Sequence, residues 1–448
     1  MSFDHSGHGG RLRMGRRGFL RWGLAGAGAL AAPGLLSGCA SPASPSGASS
    51  LRVWDLFSGG DGLLMDEMIE AVSTGPDAFD VDRTILEWGA SYYTKLAMAA
   101  AGGRAPEVAV LHLSRMAGYA PGGLIEPFDL DLLAEFGVEE EHFAPAIWER
   151  AQWEGEVFAI PLDTHPFIVF YDKEIAGEAG LLDSEGELAP IGSPEAMYAA
   201  SEALAEAQGG SGVLFGHIAD EAQCWRLFNG LYAQTGAVWE LPDGGEPQVD
   251  EEAAVRVLTF MTEMFDGRRN PNNLDYIGAM AAFQGSRGAM IFAGEWELPN
   301  LRITDRPLGA APFPQIFDQP AVNADSHSFV LPRQERVDQA RRREAHRYVA
   351  TMLKASYTWA SAGHIPAYQP VIAEDRYAEL DPQASYAGAS EIAVLDPPNW
   401  FTGSGSNFQN QMTQPMSAAL LGNTSPEAAV ARMISASKSL LDQPNPVA

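Results

Sequence analysis

Strand-like and helix-like segments alternate along this chain, each pair joined by a short turn, and that alternation leaves few folds open. Residues 51–57, Leu-Arg-Val-Trp-Asp-Leu-Phe, have the period of a strand, Ser58-Gly59-Gly60-Asp61-Gly62 interrupts it, and residues 63–72 continue with helical spacing. The same unit recurs: strand 81–88, helix 92–101, strand 108–113, helix 114–120. Strands alternating with helices predict an α/β protein with mainly parallel sheets flanked by helices. Further on, the spacing predicts helices over 194–207, 219–234, 251–265, 276–284, 336–353, 356–361 and 426–441, with strands over 288–293 and 328–331. Two apolar runs, 157–161 and 167–171, flank Leu162-Asp163-Thr164-His165-Pro166, a suitable place for the chain to pass between domains. The roughly 400 residues involved exceed what one compact core holds, so two domains are expected.

The first 50 residues read differently. Arg11, Arg13, Arg16, Arg17 and Arg21 precede an apolar run from Trp22 to Leu36, and Leu36-Ser37-Gly38-Cys39 closes it. A basic region, a short apolar core and small residues before a cut are what a secretory signal needs. Arg16-Arg17 before Phe19-Leu20 resembles a twin-arginine export signal, with Gly15 where Ser or Thr is usual. About 15 apolar residues fall short of the roughly 20 that span a bilayer. The Leu-Ser-Gly-Cys ending resembles a bacterial lipobox, which implies acylation of Cys39 and tethering on the outer face of the cytoplasmic membrane. Residues 1–38 are therefore expected to be a signal peptide and 39–50 a lipid-anchored flexible spacer, rich in Ser, Pro, Gly and Ala.

Of 29 Lys and Arg and 58 Asp and Glu, five Arg and one Asp fall in the leader, leaving 24 and 57 and a formal charge of −33. Such a surface repels nucleic acid and anionic head groups, and leaves neutral or cationic ligands. With Cys39 acylated, Cys224 is the remaining thiol, which excludes an intramolecular disulfide.

Enzyme signatures are sparse. Neither His-Glu-x-x-His nor Gly-x-Ser-x-Gly occurs, and the nine histidines lack metal-ligand spacing, so neither a metal nor a cofactor is expected. Glu139-Glu140-Glu141-His142 reads as a solvated helix start. The turn at residues 58–62 lacks nucleotide-binding spacing. Carboxylate pairs for glycoside hydrolysis stay open, because they meet in space and not in sequence.

Trp54, Trp88, Trp225, Trp296 and Trp400 each fall at or near the end of an expected element, beside Asp, Gly, Pro or Asn. A flat aromatic face matches the C–H face of a pyranose, and each buried ring hydroxyl needs a hydrogen-bond partner. A carbohydrate site therefore interleaves indoles with polar side chains.

Eight short motifs then stand in one order: Tyr93-Thr-Lys-Leu96; Ala100-Ala-Gly-Gly-Arg-Ala-Pro-Glu-Val108; Gly123-Leu-Ile-Glu-Pro127; Val157-Phe-Ala-Ile-Pro161; Phe170-Tyr-Asp-Lys173 with Ala179-Gly-Leu181; Phe283-x-Gly-x-x-Gly-Ala-Met290; Gly294-Glu-Trp296; and Gly363-His-Ile-Pro366. Together they resemble the family 1 extracellular solute-binding proteins of ABC importers, the group that includes maltose-binding protein. The resemblance spans about residues 51–441 and implies a two-lobed periplasmic-binding-protein-like fold with a three-crossing hinge. It places lobe I at 51–163 and 310–364, lobe II at 164–309 and 365–448, and crossings near 162–166, 308–314 and 362–366. It also implies a ligand cleft drawing on Ser58, Gly60, Asp61, Trp88, His112, Ser114, Arg115, His165, Asp220, Glu221, Trp225, Trp296, Asp325, His327 and Trp400. His112, His165, His327 and His364 set the chain apart; neutral imidazole both donates and accepts, which suits hydroxyl recognition. The expected role is that of a monomeric, non-enzymatic lipoprotein that captures a mono- or oligosaccharide and delivers it to the transmembrane subunits of an ABC permease. A secreted glycoside hydrolase, or the same fold binding a polyamine or other cation, are the alternatives.

Overall fold

The computed structural model describes residues 50–75, 78–302 and 306–447. The expected signal peptide, the Cys39 lipid site and the spacer up to residue 49 lie outside the described residues. No helix among the described residues is long and apolar enough to cross a membrane.

Strands β1 (Leu51–Asp55), β2 (Val81–Ile85), β3 (Val108–His112) and β4 (Ile125–Glu126) open the chain. A small hairpin of β5 (Gln152–Trp153) and β6 (Glu156–Val157) then leads into β7 (Ala159–Pro161) and the ten-residue β8 (Asp163–Asp172). Helices at Pro194–Gln208, Gln223–Gln234, Glu251–Met264 and Tyr276–Gln284 follow, with β9 (Ser211–Leu214) between the first two and β10 (Gly288–Gly294) after the last. The last strands are β11 (Leu308–Pro312), β12 (Val322–Asp325), β13 (His327–Pro332), β14 (Ile365–Pro366) and β15 (Ala393–Val394).

Two sheets organise these strands. The first runs β2-β1-β3-β13-β4 with β7 also on β13, and the second β15-β12-β8-β10-β9 with β11 and β14 also on β8. Parallel pairing holds where β-α units repeat, between β1 and β2, β1 and β3, β9 and β10, and β12 and β15. The returning strands β13 and β8 run antiparallel to their neighbours, so both sheets are mixed. Helices cover the faces, and each sheet has its own core. Val53, Val108, Leu111, Ile160, Phe329, Tyr348 and Trp359 belong to the first core, and Phe167, Phe170, Trp225, Phe228, Met261, Ile291 and Phe408 to the second. Each such side chain stabilises by about 1.5–3 kcal/mol when fully buried.

The lobes are sewn together where the crossings run side by side. Leu162 N–H donates to the His327 carbonyl (2.8 Å), and Ala367 N–H donates to the Leu162 carbonyl (3.0 Å). The lobe boundaries differ from those expected. Residues 308–325, expected to cross near 308–314 and re-enter lobe I at 310, remain in the second sheet, because β11 and β12 both pair with β8. The return falls at Ser326-His327. Beyond β14, Ala367, Tyr368 and Val371 pack in the first core before Tyr386 enters the second.

Candidate functional site

Between the two sheets lies a cavity of about 580 Å³, within the roughly 300–1,000 Å³ typical of small-molecule sites. Lobe I contributes the start of the helix Gly59–Val72. Ser58 caps this helix with an extended backbone, and Gly59 takes φ +59°, a left-handed conformation that glycine adopts without strain. The turn thereby presents Ser58, Gly59, Gly60 and Asp61 to the cavity. Facing it, lobe II supplies Pro299; a Cβ on Gly60 would stand 2.9 Å from Pro299 Cβ, so the lobes touch here.

Two indoles line the walls. Trp88 donates from Nε1 to Ser404 Oγ (3.2 Å), and Trp296 donates from Nε1 to the Tyr276 hydroxyl (3.1 Å). The Arg226 guanidinium sits 4.8 Å from the Trp296 ring centroid and 6.0 Å from that of Trp88. No carboxylate among the described residues pairs with Arg226. Tyr276 donates its hydroxyl proton to Glu297, whose other oxygen accepts from Asn300 Nδ2 (2.9 Å).

The floor is made of histidines from three crossing strands. His112 ends β3, His165 lies on β8, and His327 begins β13 directly opposite His112. Ring centroids of His165 and His327 are 4.2 Å apart, those of His112 and His327 4.5 Å, and those of His112 and His165 5.2 Å. Asp163, fully buried below, receives His165 Nδ1 (3.0 Å), His327 Nδ1 (2.7 Å), His327 N–H (2.8 Å) and Trp359 Nε1 (2.7 Å). Burial alone would raise the Asp163 pKa, but the His327 and His165 imidazoles outweigh it and hold the carboxyl well below its usual range. Burial, followed by the neighbouring imidazoles, pushes His165 down to about 3 and His112 well below the ordinary value. Deeper in the hinge, His364 stacks on Trp359 at 4.3 Å and stands 2.8 Å from Glu295 Oε1 and 3.3 Å from Asp61 Oδ1.

Residues 86–379 match the sequence pattern of bacterial extracellular solute-binding proteins. The chain belongs to that family. Its fold is similar to that of the GacH receptor of Streptomyces glaucescens, solved unliganded and with acarbose (TM-score 0.72, 19% identity, 88% of this chain and 98% of that chain). It is similar also to maltose-bound T. maritima MalE3 (0.71, 18%, 87% and 99%) and to the cyclic α-maltosyl-1,6-maltose binding protein of Arthrobacter globiformis (0.69, 18%, 88% and 99%).

In this solute-binding protein, ten of the fifteen residues expected at the cleft line the cavity: Ser58, Gly60, Asp61, Trp88, His112, His165, Asp220, Glu221, Trp296 and His327. The other five do not. Trp225 is fully buried in the second core, its Nε1 donating to Asp396 Oδ1 (2.8 Å) and its ring edge-on to Phe408. Trp400 packs against that core beside Phe401. Ser114 and Asp325 bind one another: Ser114 N–H donates to Asp325 Oδ1 (3.0 Å), the Ser114 hydroxyl donates to Oδ2, and Ser404 N–H donates to Ser114 Oγ (3.0 Å). Burial pushes the Asp325 carboxyl up to about 6 despite these donors. Arg115 lies over the Tyr93 ring and donates to the Thr402 carbonyl (3.2 Å). Ser114 and Arg115 thus hold the 399–406 loop.

Arg226, Tyr276, Glu297 and Asn300 line the cavity without having been expected there. Asp220 Oδ1 accepts from Ala222 and Gln223 N–H (both 2.7 Å), so the helix begins at Gln223 and not at 219, and Arg226 rather than Trp225 reaches the cavity. Only Arg226 carried a signal: the one charged residue of the helix Gln223–Gln234.

Proposed function

We propose that this protein is the substrate-binding component of an ABC importer, capturing a mono- or oligosaccharide between its lobes and presenting it to the permease. The supporting observation is the pairing, in one cavity, of the Trp88 and Trp296 indoles with the Asp61, Asp220, Glu297, Asn300 and histidine side chains. Indoles accept the C–H faces of a pyranose, while the polar groups meet its hydroxyls. The receptors of similar fold named above were solved with acarbose or maltose, or are named for a cyclic maltosyl sugar. The alternating indole and polar lining and the unpaired Arg226 favour a neutral polyol over a polyamine.

In this mechanism no bond is made or broken. The lobes pivot about the three crossings, and a solute touching both lobes stabilises the shut form. Micromolar affinity corresponds to about −8.2 kcal/mol. The chain would be exported, held to the outer face of the cytoplasmic membrane through lipid on Cys39, and would act as a monomer.

A thermal-shift screen of neutral sugars tests the reading. A sugar at 100 times its dissociation constant is expected to stabilise by about 2.7 kcal/mol, and Trp296→Ala to abolish the shift while leaving the solute-free melting temperature within a few degrees. Silence across maltose-type and other neutral oligosaccharides would sink it.

A further inference from the structure

The histidine floor has a property that hydroxyl recognition does not require. His165 and His327 both direct Nδ1 to the buried Asp163 carboxylate, at 3.0 and 2.7 Å. With Nδ1–H donated there, each Nε2 carries a lone pair. His112 places Nδ1 2.9 Å from the Tyr93 hydroxyl, which accepts Nδ1–H in the tautomer that frees Nε2 in the same way. All three rings are more than nine-tenths buried, line the cavity, and show no protein partner for Nε2 among the described residues. A carboxylate or hydroxyl fixing one ring nitrogen while the other stays free is the arrangement that orients metal-binding histidines.

A carboxylate stands beside them. His112, His165 and Asp325 offer ligand atoms that all lie within 4.8 Å of one another. Asp325 lies just behind the cavity lining and pairs with His165 across β12 and β8; its Oδ1 accepts from Ser114 and Ser326 N–H and its Oδ2 from the Ser114 hydroxyl, which leaves Oδ2 a second lone pair for a metal. Ligands at about 2.0–2.1 Å from a tetrahedral ion are roughly 3.4 Å apart, so side-chain adjustments of about an ångström close the shell. In the overlapping group of Asp163, His165, His327 and His364, the Asp163 oxygens already accept from His165, His327 and Trp359, which leaves His165 Nε2 to the first group.

We propose that His112 and His165 in the cavity floor, through imidazole nitrogen, and Asp325 just behind it, through a carboxylate oxygen, bind one divalent transition-metal ion of the zinc type at the edge of the cavity, with its remaining positions open to the solute. Two imidazoles and a carboxylate suit such ions and not Mg²⁺ or Ca²⁺, which take all-oxygen shells. The ion would take oxygen donors of a bound solute as further ligands. The site does not depend on the solute being a sugar.

Calorimetric titration of the full chain, stripped of metal with EDTA and dialysed, with Zn²⁺ in the absence of sugar tests this. One ion per chain is expected, with affinity falling at least tenfold in His112→Ala and in His165→Ala and unchanged in His142→Ala. No saturable binding, or binding indifferent to both floor substitutions, overturns the proposal. X-ray absorption at the zinc edge of the unsubstituted protein needs no variant to fold: about two imidazoles per ion support the site, and an all-oxygen shell overturns it. Sugar screening both with added Zn²⁺ and with EDTA reads the solute proposal separately, since only silence in both conditions counts against it.

Discussion

At the residue scale, the tryptophans separate structure from recognition. Trp225 and Trp296 lie in similar sequence settings, yet one has its indole sealed among Phe408, Phe228 and Trp239 and the other borders the cavity. Trp225→Ala removes a fully buried ring and orphans Asp396 Oδ1, so urea unfolding should show a loss of about 3–5 kcal/mol. Trp400→Ala should leave sugar affinity within twofold of the parent; a tenfold loss would mean that the 399–406 loop meets the solute directly. The sequence indicates that indoles gather near element ends. It does not say which way each ring turns, since one helical residue rotates the side chain by about 100°, and the Asp220 turn set that phase for Trp225 and Arg226.

At the element scale, long periodic segments were legible. Tyr276–Gln284 and Pro426–Leu441 begin and end where the spacing predicts, and Pro194, at the first turn of its helix, marks that start correctly. The helix Asn407–Leu420 was not foreseen. It is rich in Gln and Asn and contains Pro415, and it survives because Phe408, Met412 and Met416 pack into the second core, a tertiary gain that local propensity does not register. The helix Gly59–Val72 illustrates the opposite tension. Gly60 weakens a helix start, but its bare Cα lets Pro299 of the other lobe approach. In Gly60→Ala a helix-propensity gain of up to about 1 kcal/mol is offset by the close approach to Pro299, so solute-free stability should change little, while the methyl wedges the lobes and weakens sugar binding several-fold. Paired melting and titration experiments check this, and weakened binding together with lowered solute-free stability would point to local damage instead.

At the scale of the whole molecule, the hinge depends on contacts among residues far apart in sequence. The eight ordered motifs implied two lobes and three crossings, but the position of the middle crossing follows from pairing with β8, which no local pattern records. The sequence singles out His112, His165, His327 and His364; the gathering of His165, His327 and His364 around Asp163 arises because β8, β13 and the segment before β14 converge there. His364 is the member that joins the lobes, between Asp61 at the lobe I cavity wall and Glu295 beside Trp296 in lobe II. Burial opposes its charge, yet the Asp61 and Glu295 carboxylates outweigh burial and raise its pKa well above the ordinary imidazole value. A group raised in this way contributes its full stabilisation below the unfolded imidazole value of about 6.5, and that contribution is lost as pH rises through the folded-state value. Glu295, pushed up to about 7 chiefly by burial, carries the same sign. Asp163 has the opposite sign, since its lowered pKa costs stability only as pH falls through the folded value in acid. His364→Ala removes the buried cation between Asp61 and Glu295 together with the ring stacked on Trp359, so it should lower the unfolding free energy by roughly 3–5 kcal/mol near pH 6. The penalty should shrink at pH 9, because above about 6.5 the unfolded imidazole has lost its proton and the native one must still hold it. Urea denaturation of both proteins at the two pH values measures this directly. A penalty that is constant or grows with pH would show that His364 acts by packing against Trp359 and not by its charge.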